Sequence, residues 1–319
     1  MSGHSANTSA SLAGSMRSAN RLRYAPGQRW HRLCMEWLPL VLLPLFAWYG
    51  SAGVVPWARM WLLASAIMAG CKWLTWRRAL AVTKVVPIWR SLGYLFAWPG
   101  MDAEAFLDTT ISPPAPSRTA WAQAVAKTLF GAILVWFGTR LAFPWSSWAA
   151  GWIGLAGLVF LLHFGVFHLL ALAWQRGGVV AEPIMHWPIA ARSVGDFWGR
   201  RWNLAFRQLA HEFVYFPLAS HLGVTGAMMV SFLVSGLLHD IVISLPAGGG
   251  FGLPTVYFLL QALGLQAEHS SLGRRFGLGR GIRGRLFAAA VVGLPAVMLF
   301  HPPFVERVAI PFLHALGAC

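Results

Sequence analysis

The stretch WAAGWIGLAGLVFLLHFGVFHLLALAW, residues 148–174, contains 27 residues, and none of them is Asp, Glu, Lys or Arg. An uncharged apolar segment of this length can cross the hydrocarbon core of a bilayer as an α-helix, which needs about 20 residues. Strands of a membrane β-barrel alternate apolar and polar residues, and this segment does not. Residues 148–174 therefore predict a membrane-spanning helix.

The whole chain has the composition of a membrane protein. Of its 319 residues, 57% are hydrophobic and 11% are charged, and its mean hydropathy is +0.58. A soluble domain carries about 25% charged residues, so this chain has too few charges to cover a surface that faces water. The composition predicts an all-α, polytopic membrane bundle.

Further apolar segments, separated by short polar loops, predict seven or eight spans in total. The predicted spans are residues 37–55, 60–76, 125–143, 148–174, 223–245, 251–266 and 286–300, with the apolar tail 301–319 as a candidate eighth, partly inserted segment. Residues 77–120 are too polar to span and predict a cytosolic loop with some amphipathic helix. Residues 1–34 contain no acid and predict a disordered basic cytosolic tail. Residues 35–319 then form a single membrane-embedded domain.

The formal charge of +15 indicates orientation rather than nucleic-acid binding. The arginines lie at the ends of apolar segments, where the positive-inside rule places them and the N-terminus in the cytosol. We therefore expect a multi-pass protein of the bacterial cytoplasmic membrane, or of the endoplasmic reticulum in a eukaryote. The three cysteines have no CxxC spacing, so the sequence predicts neither a disulfide framework nor a zinc site.

The sharpest chemical signal is His239, within the apolar sequence SGLLHD of residues 235–240. Ionisable groups at this depth are costly and are by default functional candidates. The alternative is a neutral histidine that bonds Ser235, one turn earlier, or a neighbouring helix. Asp240 lies about 100° around the helix from His239, so we expect it to have a structural or supporting role.

A second signal is FWGRRWN, residues 197–203, within the aromatic and basic segment 175–222. This segment cannot span as one helix, and its composition is typical of the membrane interface. Arg200 and Arg201 have the chemistry to bind phosphates through charge-assisted hydrogen bonds. Anchoring at the level of the lipid headgroups is the alternative for such residues.

The interfacial FWGRRWN followed about 35 residues later by the intramembrane SGLLHD resembles the membrane-bound O-acyltransferase superfamily, and specifically its wax synthase-like branch. Residues 92–102, LGYLFAWPGMD, look like a segment of bacterial wax synthase-like proteins. The resemblance runs from about Leu92 to Glu268. It implies a membrane-bound O-acyltransferase-like helical fold with interfacial helices.

The resemblance also implies an activity and the residues that carry it. Asn203 and His239 match the family's paired catalytic positions, and the implied reaction moves an acyl group from acyl-CoA to a lipophilic alcohol. His239 is then the general base, and Asn203 orients a substrate or stabilises developing negative charge. Acyl-CoA is a co-substrate, and no permanently bound cofactor or metal is expected. The residues expected to hold its anionic head are Arg200, Arg201, Trp202 and Arg207.

Several alternatives remain open at this level. The acceptor could be a sterol, a diacylglycerol or a polyketide alcohol, and the donor could be acetyl-CoA. A membrane haem protein is a second class, because His163, His168, His239 and His301 lie in or beside spans. His163 and His168 are five residues apart, which an α-helix separates by about 140°. A proton-coupled transporter is a third class.

Overall fold

The computed structural model describes residues 26–83 and 85–319, and these residues form α-helices and no β-strand. The predicted tail extends over residues 1–34, of which 1–25 lie outside the described part of the chain. The first described helix begins at Pro26, within that predicted tail. The helices are α1 Pro26–Gly50, α2 Pro56–Leu80, α3 Ile88–Phe96, α4 Ala103–Leu107, α5 Arg118–Ala142, α6 Ser147–Arg176, α7 Leu204–Ala247, α8 Leu253–His269, α9 Ser271–Phe276, α10 Gly281–Leu299 and α11, residues 302–315.

The prediction of an all-α membrane protein is confirmed. Four of the described helices, α5, α6, α7 and α10, are long and apolar enough to cross a membrane. The apolar part of α1, Cys34–Gly50, and helix α8, with 17 residues, are shorter. The count of seven or eight spans is not confirmed by these lengths and stays a prediction.

Consecutive helices pack against each other as antiparallel hairpins, of which α1–α2, α5–α6 and α7–α8 are the most extensive. Helix α2 begins at Pro56, because proline is favoured in the first helical turn. The α5–α6 turn ends at Ser146, whose hydroxyl accepts a hydrogen bond from the Ala149 amide. The predicted boundaries of α6 differ from the observed ones by one or two residues. The predicted end of the first span, at residue 55, was wrong, since α1 ends at Gly50.

Helix α7 joins the interfacial segment to the predicted fifth span. At 44 residues it is far longer than a bilayer requires, but Gly223 breaks it with a φ of 68° and a ψ of 175°. Glycine adopts this backbone conformation without a Cβ penalty. The break coincides with the predicted start of the fifth span. Residues 224–247 extend about 36 Å beyond it, enough to cross the hydrocarbon core.

Helices α5 and α6 approach each other closely at Gly131. A Cβ atom at this position would lie 2.2 Å from the Leu161 amide nitrogen on α6. Small residues allow such close contact between membrane helices, where packing rather than the hydrophobic effect drives association. The absence of a side chain at Gly131 is therefore a condition of the α5–α6 contact.

We expect Gly131→Ala to lower the thermal unfolding midpoint of the protein in detergent, because the α6 backbone must move away from the added methyl group. Overpacking of this kind costs about 1–3 kcal/mol. Gly293→Ala is the matched control, since nothing lies within 4 Å of a Cβ built there. Equal midpoints for the two variants would contradict the close α5–α6 contact.

Candidate active site

The interfacial motif is folded around the short helix Val194–Asp196, which leads into the π-helical turn Phe197–Arg201. The carboxylate of Glu268, at the end of α8, accepts hydrogen bonds from the amides of Val194 (2.6 Å) and Gly195 (3.4 Å). These two hydrogen bonds attach the motif to α8. Short π-helical turns such as Phe197–Arg201 occur frequently at functional sites.

Asp196 holds the two predicted phosphate-binding arginines. Its carboxylate accepts hydrogen bonds from Arg200 Nε at 3.0 Å and from Arg201 Nε at 2.7 Å. Arg201 Nη1 also donates to the backbone oxygens of His186 and Trp187, both at 3.3 Å. The Arg200 side chain is 78% exposed, and its Nη groups have no hydrogen-bond partner among the described residues. The two arginines therefore differ: Arg201 is engaged in the fold, and the outer nitrogens of Arg200 are exposed.

The charge on Asp196 is stabilised by these contacts. Burial disfavours the ionised carboxylate, but the Arg192 amide and the guanidinium groups of Arg201 and Arg200 outweigh this effect. They hold the pKa of Asp196 below its ordinary value. The carboxylate therefore stays ionised at neutral pH and keeps both arginines in place.

Asn203 adopts the left-handed backbone conformation, with a φ of 41°. Among the described residues, Trp187 is the one other non-glycine residue with a positive φ. The Asn203 Oδ1 atom caps the first turn of α7 by accepting from the Phe206 amide at 3.4 Å. Its Nδ2 group has no partner in the described part of the chain. One end of this side chain therefore has a structural role, and the other end is able to donate to a substrate.

An aromatic cluster connects the motif to His239. The ring centroid of Phe258 on α8 lies 5.6 Å from that of Trp198 and 4.4 Å from that of His239. Phe232, two turns before His239 on α7, completes the cluster at 5.7 Å from Trp198. Trp202 stacks on Phe197 at 5.5 Å and packs in the core. The structure thus links the two sequence signals through Phe258.

His239 is half-buried, and one of its ring nitrogens is already engaged. Nδ1 lies 2.7 Å from the backbone oxygen of Ser235, one turn earlier. A carbonyl oxygen can only accept, so Nδ1 carries the proton and Nε2 of the neutral ring has a free lone pair. The hydrogen bond between His239 and Ser235, which a purely structural role predicts, therefore exists and is made to the Ser235 backbone oxygen. It leaves Nε2 unprotonated, which is the form that a general base requires.

Asp240 is engaged away from the His239 ring. Its carboxylate accepts from Ser244 Oγ and the Gly252 amide, both at 2.8 Å, and from the amide and hydroxyl of Thr255 at the start of α8. These contacts connect the end of α7 to the start of α8. The expectation of a structural or supporting role for Asp240 agrees with them.

A cleft of about 530 Å³ opens between α7 and α8 beside the break at Gly223, a volume in the range of ligand pockets. It is lined by Tyr215, Val224, Thr225, Met228, Leu265, Gln266, His269 and Ser270. Met228 lies eleven residues before His239, so both are on one face of α7, about 16 Å apart. Leu265 and Phe258 share a face of α8 in the same way. The cleft and His239 therefore both lie at the interface between α7 and α8. The Phe232 and Phe258 rings lie between them along this interface.

The other intramembrane histidines have different surroundings. Residues Val159–Val166 are π-helical, so the 140° separation expected for His163 and His168 in an α-helix does not apply. His163 Nδ1 is buried without a hydrogen-bond partner among the described residues. Both ring nitrogens of His301 are engaged, with Ser244 Oγ and the Phe304 amide. In the described part of the chain, no group of three or more His, Cys, Asp or Glu side chains is placed to hold a metal.

Sequence reasoning missed Phe258 and the anchoring function of Asp196. The spacing of Asp196 four residues before Arg200 was an available signal, because residues four apart meet on one helical face. Phe258 gave no signal, since its contact with Trp198 and His239 depends on how α8 packs on α7. Arg207 lies exposed near the start of α7.

Comparison with known proteins gives a match over the segment that carries this site. Residues 181–260 match the membrane bound O-acyl transferase family. A probable long-chain-alcohol O-fatty-acyltransferase 7 of Arabidopsis thaliana is 29% identical over 147 residues, which are 41% of this chain and 42% of that protein. The long-chain-alcohol O-fatty-acyltransferase of Simmondsia chinensis is 39% identical over 72 residues, 20% of each chain. Diacylglycerol O-acyltransferase 1 of Arabidopsis thaliana is 31% identical over 119 residues, 37% of this chain and 22% of that protein.

The chain therefore spans less than half the length of these curated relatives. The matched family segment includes both Asn203 and His239. Together with the helical membrane fold, these matches confirm the resemblance of this chain to the membrane-bound O-acyltransferase superfamily and to its wax synthase-like branch.

Proposed function

We propose that this protein is a membrane acyltransferase that moves an acyl group from acyl-CoA to the hydroxyl group of a lipophilic alcohol, forming a wax or related ester. The observation that carries the proposal is the His239 ring, whose Nδ1–H is bonded to the Ser235 carbonyl and whose Nε2 is free. This ring lies in the segment that matches the acyltransferase family. Long-chain-alcohol acyltransferases among the relatives support the choice of reaction.

The chemistry needs one base and one hydrogen-bond donor. Nε2 of His239 takes the hydroxyl proton while the alcohol oxygen attacks the thioester carbonyl carbon. A C–O bond forms, and the carbonyl electron pair moves onto oxygen, where the Asn203 Nδ2 group can donate to it. Collapse of this intermediate restores the carbonyl and breaks the C–S bond. The departing thiolate then takes the proton from His239, which returns to its neutral form.

The head and the tail of acyl-CoA need different surroundings. Arg200 is exposed with free Nη nitrogens, and exposed Arg207 lies near the start of α7, so these two side chains would meet the phosphates at the cytosolic face. Arg201 is engaged with Asp196, His186 and Trp187, and Trp202 is packed on Phe197, so both would support this surface from within. The cytosolic orientation of this face is part of the proposal and follows from the positive-inside rule.

The pantetheine arm of acyl-CoA would lie along the α7–α8 interface, because it joins the phosphates at the cytosolic face to the thioester at His239, and the acyl chain would continue beyond that residue. The cleft beside Gly223 provides an entrance, and the faces of α7 and α8 that line it continue to His239. Phe232 and Phe258 occupy this route, with ring centroids 6.5 Å apart. An apolar path between helices also keeps competing water away from the thioester.

We assign the acceptor alcohol to a chemical class and not to a single compound. Long-chain alcohols agree with the names of the relatives above, and the diacylglycerol acyltransferase among them keeps a glyceride as a second candidate. A sterol, a polyketide alcohol and an acetyl donor remain within the same chemistry.

We expect His239→Ala and His239→Asn to abolish ester formation by membranes supplied with labelled acyl-CoA and a panel of alcohols. Loss of general base catalysis costs about 10²–10⁴-fold in rate. The Asn variant separates the two interpretations of His239, because its amide can still donate to the Ser235 carbonyl but has no basic nitrogen. Products are separated by mass, at matched expression.

His314→Ala is the control for these variants, since His314 is exposed and also bonds a backbone oxygen through Nδ1. We expect it to retain activity. Full activity in His239→Asn would show that the ring has only its structural bond. A wild-type protein that makes no ester from any alcohol would contradict the proposed reaction.

Asn203→Asp and Asn203→Ala separate the two ends of the Asn203 side chain. Asp retains an oxygen to cap α7 and tolerates the left-handed conformation, whereas Ala loses the cap, at a cost of about 1 kcal/mol of stability. Both variants lack the Nδ2 donor, so we expect both to lose about 10²–10³-fold in kcat. We expect only Asn203→Ala to lower the unfolding midpoint. Wild-type kcat in Asn203→Asp would assign Asn203 to helix capping alone.

A further inference from the structure

A second polar cluster has no part in the reaction described above. It consists of Asp240, which follows His239 in the sequence, Ser244 and His301. Ser244 and His301 are completely buried, with no exposed surface. Ser244 Oγ lies 2.8 Å from Asp240 Oδ1 and 3.1 Å from His301 Nε2. His301 lies beyond the family-matched segment 181–260, in the chain that follows α10. The cluster connects that distant part of the sequence to the residue next to His239.

The hydrogen bonds of this cluster run in one direction. His301 Nδ1 accepts from the Phe304 amide at 3.2 Å, so in the neutral ring Nε2 carries the proton and donates to Ser244. Ser244 has one hydroxyl proton. The Asp240 carboxylate is closer than the other acceptor, the Gly250 carbonyl at 3.3 Å, and a charged acceptor makes the stronger bond. The chain of donors is therefore His301 to Ser244 to Asp240.

Asp240 is the final acceptor of this chain, and three residues donate hydrogen bonds to its carboxylate. Besides Ser244 it accepts from Gly252 and from both donors of Thr255. A carboxylate that accepts this many hydrogen bonds is stabilised in its ionised form. Its neighbour in the sequence is His239, but its bonds point to α8 and to the loop before it. Asp240 therefore cannot orient the His239 ring by direct contact.

We propose that Asp240 is a positioning residue for the transfer reaction, and that Ser244 and His301 fix its carboxylate so that a negative charge stands beside His239. This inference depends on the proposed function. When His239 takes the hydroxyl proton, it becomes an imidazolium ion in surroundings of low dielectric. A fixed negative charge nearby stabilises that ion, and its effect acts through space without a shared hydrogen bond.

The same contacts also fix the position of the His239 backbone. The π-helical turn Asp240–Ser244 begins directly after His239, and Ser244 and Asp240 bond to each other across it. Through Thr255 they tie this turn to α8, which carries Phe258 against the His239 ring. The same hydrogen-bond network therefore fixes the positions of both the Asp240 carboxylate and the His239 ring.

Two variants test the proposal without touching Asp240. His301→Asn retains an oxygen that can cap the helix Pro302–Phe304, but its shorter side chain does not reach Ser244. Ser244→Ala removes the hydroxyl that links His301 to Asp240. We expect kcat for ester formation to fall about tenfold in Ser244→Ala, because the Asp240 carboxylate loses one buried hydrogen bond. We expect a smaller fall in His301→Asn, because that variant loses only the bond to the Ser244 hydroxyl. KM for acyl-CoA and for the alcohol should stay within about twofold, since no substrate contact changes.

Ser231→Ala is the matched control. Ser231 lies on the same helix and donates only to the Ala227 carbonyl, so we expect wild-type kcat. Each variant is purified in detergent, and its folded fraction is measured by size exclusion and thermal unfolding. Rates are then given per folded protein, so that a purely structural role would leave kcat unchanged.

The outcomes are distinct from a failure of the proposed function. If wild type makes no ester, the transfer reaction itself is wrong. If wild type is active and His239→Ala is not, but His301→Asn and Ser244→Ala have wild-type kcat, the reaction stands and the positioning role is overturned. Loss of folded protein in both variants would also overturn it, because the network would then serve folding rather than rate.

Discussion

In a bilayer every polar group on an apolar helix must find its partner within the protein, because the lipid offers none. Residues 231–244 of helix α7 meet this condition: Ser231, Ser235 and His239 bond backbone oxygens one turn earlier, and Asp240 bonds Ser244 and Thr255. Within this group, the Nε2 lone pair of His239 has no partner among the described residues. The same constraint that stabilises the helix therefore selects the atom that is able to act as a base.

In the interfacial motif, charged side chains rather than neutral groups satisfy one another's hydrogen bonds. Asp196 engages the Nε atoms of Arg200 and Arg201, and the backbone carbonyls of residues 186 and 187 engage Nη1 of Arg201. The donors without a partner in the described part of the chain include the Nη groups of Arg200 and the Nδ2 group of Asn203. In the proposed reaction, His239 in the membrane would act on the alcohol, Asn203 at the interface on the thioester, and Arg200 at the surface on the phosphates of acyl-CoA.

The sequence predicted the helical membrane fold and several helix ends, since charged residues and prolines mark where apolar segments end. It also singled out His239 and the FWGRRWN motif, because polar side chains stand out in apolar surroundings. It could not predict the π-helical turns, which have no sequence signature and which changed the geometry expected for His163 and His168. The contacts of Phe258 and His301 were equally hidden, because they join parts of the chain that only tertiary packing brings together.

The most direct test of the proposed site is where the pantetheine arm of acyl-CoA lies. An acyl-CoA with a photoreactive group on this arm, activated in membranes and followed by mass spectrometry of the labelled peptides, measures this position. We expect labels on residues 224–239 of α7 and 253–265 of α8, with loss of labelling in an excess of ordinary acyl-CoA. Competed labels confined to α5 and α6 would place acyl-CoA elsewhere and contradict the site at His239.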